Sequence, residues 1–167
     1  MGFFSKLFGL DKPPAAPVVA ERRRDAGIAY DPALVPKLKA DHQDLLAMFG
    51  KISQTAETGQ YNELPKLLKK FKLALQTHLV TENVRFYVYT QQRHVGDSHS
   101  SELIAGLRKE MNGIASAAVQ FINRYETAVF TSDVAAQFRQ DLAGIGEVLV
   151  QRINTEEASL YTLYIPK

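Results

Sequence analysis

Apolar and polar residues alternate along most of the chain with the spacing of amphipathic helices. In four segments an apolar residue recurs every three or four positions, which places these residues on one helical face. The pattern predicts helices at about 32–57, 62–92, 101–129 and 133–164. The connections between them are short, and short connections make consecutive helices antiparallel. We therefore predict an all-α fold, an antiparallel up-down-up-down four-helix bundle over residues 31–167.

Residues 1–30 differ from the rest of the chain and are predicted to form an amphipathic segment and a linker outside the bundle. The stretch MGFFSKLFGL carries aromatic and aliphatic residues at helical spacing: Phe3, Phe4, Leu7 and Phe8. DKPPAAPVVAERRRDAG follows, rich in proline and alanine with a basic cluster. Such a helix could lie on a membrane surface or dock on a partner or a second copy. Packing against its own bundle is expected more often, because ten residues are too few for a stable isolated helix.

The composition restricts the chemistry available to this protein. The 167 residues include no cysteine and no tryptophan, which excludes disulfides, thiolate metal sites and cysteine nucleophiles. Any metal ion must be held by histidine and carboxylate side chains. The formal net charge of +2 gives no electrostatic signature of nucleic-acid binding. The sequence has neither an apolar run of about 20 residues nor a signal-peptide pattern, so we expect a cytoplasmic protein.

Charged and imidazole side chains interrupt the apolar faces of three of the four predicted helices. They are His42 on the first, His78 and Glu82 on the second, and Arg152, Glu156 and Glu157 on the fourth. In HLVTENVRF, His78 and Glu82 lie one turn apart on one face and could bind an ion. A single inward histidine is more often a hydrogen-bonded core residue than a ligand. With two histidines and a carboxylate on neighbouring helices, both interpretations stay open.

Three of these stretches resemble the hemerythrin-like cation-binding domain: DHQDLL (41–46), HLVTEN (78–83) and RINTEEASLY (152–161). The resemblance covers about residues 32–164. It implies that four residues fall on ligand positions of that family, namely His42, His78, Glu82 and Glu157. In the family the complete set holds a non-haem di-iron centre that binds oxygen or nitric oxide.

Two other ligand positions of that family are changed in this chain. Met111 stands where the third helix has a histidine, and Arg152 stands where the fourth has one. A thioether is a soft ligand, and a guanidinium keeps its proton and would repel a dication. Without a metal, the inward glutamates would leave negative charge near the core, which Arg152 can neutralise. If iron is bound instead, a further ligand must come from the third helix, with Glu110 the nearest candidate.

We therefore predict that an internal ion pair of Arg152 with Glu82 and Glu156 has replaced the cation site, and that no cofactor is bound. In this interpretation His42 and His78 are hydrogen-bonding core residues. The alternative is a non-haem iron protein that binds or senses O2 or NO.

The last predicted helix carries a second resemblance. FRQDLAGIGEVLVQRINTEEASLYTLYIP (138–166) is similar to the last helix of the regulator of sigma D family, including the arginine and the acidic pair that follows it. That resemblance implies a protein partner, with the housekeeping sigma factor as the first candidate. We accordingly expect a non-catalytic regulatory or protein-binding module rather than an enzyme.

The second predicted helix contains a basic run, LPKLLKKFKLALQ, with Lys66, Lys69, Lys70 and Lys72. These lysines could contact an acidic partner or nucleic acid. Lysines on an exposed helix face are more often simply solvated, and we expect that here.

Overall fold

The computed structural model describes residues 27–166, which are helical almost throughout and include no strand. The helices are α1 (Leu34–Glu57), α2 (Leu64–Thr81), α3 (Tyr87–Arg93), α4 (Ser98–Tyr125) and α5 (Ser132–Thr155). Two π turns, Glu82–Phe86 and Glu156–Leu160, follow α2 and α5, and short 3-10 turns cover Tyr61–Glu63 and Tyr161–Leu163. None of these helices is long and apolar enough to cross a bilayer. The predicted amphipathic helix with Phe3, Phe4, Leu7 and Phe8 lies outside the described residues.

The helices form the predicted four-helix bundle. α2, the first π turn and α3 follow one another without a break, so they make one long rod. α1 packs against α2 and α5, and α4 packs against the same two helices from the other side. The all-α prediction is therefore confirmed for the described part of the chain.

Side-chain caps explain where two of the helices begin. The Asp97 carboxylate accepts a hydrogen bond from Ser100 N at 3.2 Å, and the Thr131 hydroxyl accepts one from Val134 N at 3.3 Å. The cap at Asp97 starts α4 at Ser98, three residues before the predicted start. At this end of α4, Ile104 is buried in the core and Leu103 beside it is 46% exposed.

The core of the bundle consists of two apolar clusters with a polar layer between them. On α1, His42 lies between Leu38 of one cluster and Leu45 of the other. The other long helices show the same order, with side chains of the layer between residues of the two apolar clusters. These side chains are His78 and Glu82 on the rod that begins with α2, Met111 on α4, and Arg152 and Glu156 at the end of α5. Burying several polar groups at one level is costly unless they satisfy each other. The layer is therefore the place in the fold to look for function.

Candidate metal centre

All the side chains of the polar layer are buried, with relative exposures of 4% or less for His42, His78, Glu82, Arg152 and Glu156. Both π turns begin at a glutamate of this layer, Glu82 in one and Glu156 in the other. A π turn inserts one extra residue into a helix and is frequently found at functional sites. The two turns lie on different helices and both fall at the polar layer.

His42 lies between two carboxylates. Its Nδ1 donates to Oε1 of Glu157 at 2.8 Å, and its Nε2 is 3.1 Å from Oε2 of Glu156. Burial alone would lower the pKa of His42, but the hydrogen bonds and negative charges of the two glutamates outweigh it and raise the pKa. With an acceptor facing each ring nitrogen, the imidazolium form is the favoured one.

Arg152 lies deep in the layer and is joined to three groups. Its Nε donates to Oε1 of Glu156 at 2.7 Å, and its Nη2 donates to the Tyr87 hydroxyl at 3.0 Å. Its Nη1 is 3.4 Å from Oε2 of Glu110, whose side chain is 62% exposed. The structure thus places Arg152 against one of its two predicted partners, Glu156, and adds two contacts that the sequence analysis did not foresee.

Glu82 differs from the predicted ion pair. Within the described residues no ion pair joins it to Arg152, and its Oε1 accepts from the Tyr161 hydroxyl at 3.3 Å while its Oε2 has no partner. Burial, with a smaller contribution from the charge of Glu156, raises the pKa of Glu82 to about 8. A carboxyl group that keeps its proton needs no counter-ion, which leaves Arg152 free to pair with Glu156.

His78 is the neutral member of the layer. Its Nδ1 is buried without a hydrogen-bond partner, and the nearest carboxylate, that of Asp41, is 3.7 Å away. Burial and the positive charge of His42, whose ring centre is 4.7 Å distant, lower the pKa of His78 to about 4. It therefore carries no charge at neutral pH.

These protonation states give a balanced set of charges. The cations are His42 and Arg152, and the anions bonded to them inside the layer are Glu156 and Glu157, while Glu110, which also approaches Arg152, is 62% exposed to solvent. The network is thus close to neutral with no metal ion in it, which removes the usual penalty for stranding charge in a core.

Three side chains of the layer are also arranged as a candidate cation site. His42, His78 and Glu156 each offer one ligand atom, and the three atoms lie within 4.8 Å of one another. The ligand set implied by the resemblance shares only the two histidines with this group. Glu157 instead orients His42 from its Nδ1 side and is 28% exposed, while Glu82 is bonded to Tyr161.

A di-iron centre does not fit these residues. The carboxylate of Glu156 already accepts a hydrogen bond from the Arg152 guanidinium. The guanidinium cannot coordinate a metal ion, and its positive charge would repel the second ion of a di-iron centre. On α4, Met111 offers a thioether to the layer, and Glu110 is too exposed to provide an inward ligand.

A small cavity adjoins the layer on the side of the larger apolar cluster. Its volume is about 30 Å³, and its polar wall consists of His42, His78, Arg152 and Glu156. This is room for about one water molecule. Gly146 contributes to the opposite wall, where a Cβ atom would lie 2.7 Å from the Phe49 ring, so glycine at this position allows the ring to pack there.

Two tyrosines belong to the layer that the sequence analysis missed, Tyr87 and Tyr161. Each follows the first glutamate of a π turn by five residues, in the two stretches ENVRFY and EEASLY. Tyr87 accepts from Arg152, while the Tyr161 hydroxyl donates to Glu82 and lies 3.3 Å from Nε2 of His42. The repeated spacing of a glutamate and a tyrosine was the available signal.

The fold and this buried cluster of histidines and carboxylates define a four-helix bundle of the cation-binding type. The family model of the hemerythrin HHE cation binding domain matches residues 33–164. The chain therefore belongs to that family. No curated protein and no solved structure gives a significant match.

Proposed function

We propose that this domain is a metal-free member of its family that acts as a non-catalytic, protein-binding regulatory module. The observation that carries the proposal is the hydrogen bond from Arg152 to Glu156, at 2.7 Å with both side chains buried. This bond occupies the carboxylate of Glu156, which is the group that would bind an ion together with His42 and His78. Arg152 supplies the positive charge that an ion would otherwise bring.

In this proposal the polar layer has a structural task. It links α1, the rod formed by α2, the first π turn and α3, and the segment from α5 onward through bonds that each need a partner at a fixed height, which sets the register of the helices. A bundle held in this way presents a fixed outer surface, and function resides in that surface. We infer action in the cytoplasm on another protein, and the likeness of residues 138–166 to the regulator of sigma D family makes the housekeeping sigma factor the first candidate.

Isothermal titration calorimetry with purified housekeeping sigma factor tests this function. The full chain should bind with the same affinity in buffer containing a metal chelator and in buffer containing ferrous iron. Binding that requires iron would contradict the metal-free module. No binding in either buffer would remove the sigma factor as the partner.

A second candidate is a protein that binds one divalent metal ion. It is favoured by the approach of His42, His78 and Glu156 to within 4.8 Å, and by the unpaired Nδ1 of His78 in the same layer. Two histidines and one carboxylate are a known set for non-haem iron. These residues would hold the ion, with Glu157 orienting His42, and the ion would supply an open position for a small ligand such as O2 or NO.

The two candidates make different predictions for iron binding by the wild-type chain, and Arg152→His tests the first of them. If Arg152 has closed the site, the variant gains a ligand and should bind ferrous iron that the wild-type chain does not bind. If one ion is held already, wild-type protein should bind it stoichiometrically before any substitution. Anaerobic titration followed by desalting and elemental analysis measures both.

A further inference from the structure

The outward side of α2 is basic at its beginning and apolar further along. We define the α2 outer face by six exposed residues of α2 and of the π turn that follows it: Lys66, Lys69, Lys70, Leu73, Val80 and Val84. At about 100° per residue, these six positions fall within about 60° of a single line along the helix. Leu73, Val80 and Val84 are 67%, 62% and 56% exposed, so three large exposed hydrophobic residues share this face.

Positive charge predominates on this face, where three lysines follow one exposed acidic residue, Glu63, at the N-cap of α2. α2 contains neither aspartate nor glutamate from Leu64 to Thr81. Lys72, on the flank, pairs with Glu126 at 3.6 Å. By contrast, Lys66, Lys69 and Lys70 form no ion pair with any residue from 27 to 166. The α2 outer face is thus complementary to a surface that is anionic outside and apolar beneath.

The chain enters the described structure close to the same rod of helix. Ile28 N donates to Oε1 of Gln92 at 3.0 Å, near the end of α3. Gln92 follows Val84 by eight residues, or about 12 Å of helix. Residues 11–26 include several prolines, and an extended chain of that length reaches up to about 50 Å, so residues 1–10 are within reach of the α2 outer face.

Residues 1–10 and the α2 outer face have the same chemistry. The decapeptide combines Lys6 with four apolar residues at helical spacing, and three arginines follow at 22–24. One weak amphipathic or basic element gives only reversible membrane contact, and stable attachment takes two. An acidic helix of a partner protein could pair with the lysines of the α2 outer face. Such a partner would not explain why residues 1–10 carry the same combination of basic and apolar residues.

We propose that the α2 outer face binds the anionic headgroups of a lipid bilayer surface. The lysines contact phosphate groups, and Leu73, Val80 and Val84 lie at the boundary of the acyl chains. The inference does not depend on the state of the polar layer, because the α2 outer face points away from it.

Vesicle flotation with the full chain tests the proposal. We expect the protein to float with phosphatidylcholine vesicles containing about one-third phosphatidylglycerol, and to stay in solution with phosphatidylcholine alone. The variant K66Q/K69Q/K70Q should lose about tenfold to hundredfold in partitioning onto the anionic vesicles, because each lysine near such a surface contributes several-fold. The matched control is K39Q/K51Q/K109Q, which removes the same charge from exposed lysines of α1 and α4.

A second variant separates the apolar contact from general electrostatic attraction. L73Q/V80Q changes exposed side chains only, so circular dichroism should show an intact bundle, and partitioning should fall several-fold at unchanged charge. Equal losses in the two lysine variants would overturn the proposal. So would unchanged partitioning of L73Q/V80Q. Wild-type protein that floats with neither vesicle would also overturn it, and would favour an acidic protein as the occupant.

Discussion

Nε of Arg152 lies 2.7 Å from Oε1 of Glu156, one turn further along the same chain segment, with both side chains almost fully buried. This ion pair sits where a bundle of this family would present ligands to a metal. A buried ion pair of this kind contributes little net stability over an apolar core, but removing one partner strands a charge. The pair therefore defines both the chemistry of the layer and the way to test it.

Arg152→Ala should lower the free energy of unfolding by roughly 3–5 kcal/mol, because Glu156 then keeps its charge in the core without its arginine. Chemical denaturation monitored by circular dichroism measures this loss. Arg139→Ala is the control, since Arg139 donates an exposed hydrogen bond to the Tyr61 hydroxyl and forms no ion pair within residues 27–166, so its loss should change stability by no more than about 0.5 kcal/mol. Equal effects of the two substitutions would contradict the buried ion pair.

Glu82→Gln should stabilise the protein, and the gain should grow with pH. Glu82 has a pKa of about 8 in the folded protein against an ordinary 4.5, so folding retains a proton that the unfolded chain releases between these values. Wild-type stability contributed by this residue is therefore lost as pH rises through that window. The amide cannot lose a proton, and the gain should reach roughly 2–4 kcal/mol near pH 8.

Denaturation curves of wild type and Glu82→Gln between pH 5 and about pH 8 measure this dependence. Glu102→Gln serves as the control because Glu102 is exposed on α4, and its effect should not vary with pH. A gain for Glu82→Gln that is constant over the range would show that Glu82 is ionised throughout.

The fold and the position of the polar layer along the chain could be predicted from the sequence, because both follow from the helical spacing of apolar and polar residues. His42, His78, Glu82, Arg152 and Glu156 all fall on inward stripes, and the structure buries all of them. Whether an inward side chain meets a particular partner depends on helix rotation and on the π turns, which spacing does not encode. For that reason the carboxylate beside both histidines is that of Glu156 and not, as the resemblance implied, that of Glu157, which bonds His42 from the solvent side.

The protonation of Glu82 is another property that could not be read from the sequence. Glu82 and Glu156 are equally acidic residues in equivalent positions of two π turns. The bond from Arg152 to Glu156 spans one turn of the same helix, a spacing that is visible in the sequence, whereas the lack of an ion pair between Arg152 and Glu82 follows from three-dimensional packing. The E-x4-Y spacing, by contrast, is visible in the sequence and marks both tyrosines of the layer.

Tyr161→Phe should destabilise the bundle by about 1–3 kcal/mol, because Oε1 of Glu82 loses its donor and Glu82 is fully shielded from bulk solvent. Thermal denaturation monitored by circular dichroism reports the change. Tyr30→Phe is the matched control, as Tyr30 is partly exposed and its hydroxyl makes no hydrogen bond to the described residues. The prediction fails if the two variants melt together.

Two glycines of α5 should respond to alanine in opposite directions. Gly146→Ala should cost about 1–3 kcal/mol, since its Cβ would lie 2.7 Å from the Phe49 ring beside the cavity. Gly144→Ala meets no atom within 4 Å and should stabilise the helix by roughly 0.5–1 kcal/mol. Urea denaturation of both variants measures the difference, and stabilisation of both would mean that Phe49 moves aside freely.

The iron content of the full chain tests the central claim most directly. Protein is expressed in iron-supplemented medium, purified without chelator and analysed for metal per chain by inductively coupled plasma mass spectrometry. We expect colourless protein with iron far below one atom per chain, because Arg152 and protonated His42 already neutralise Glu156 and Glu157. One iron per chain would contradict this account in favour of the single-ion site, and two would show that Arg152 leaves Glu156 to a di-iron centre.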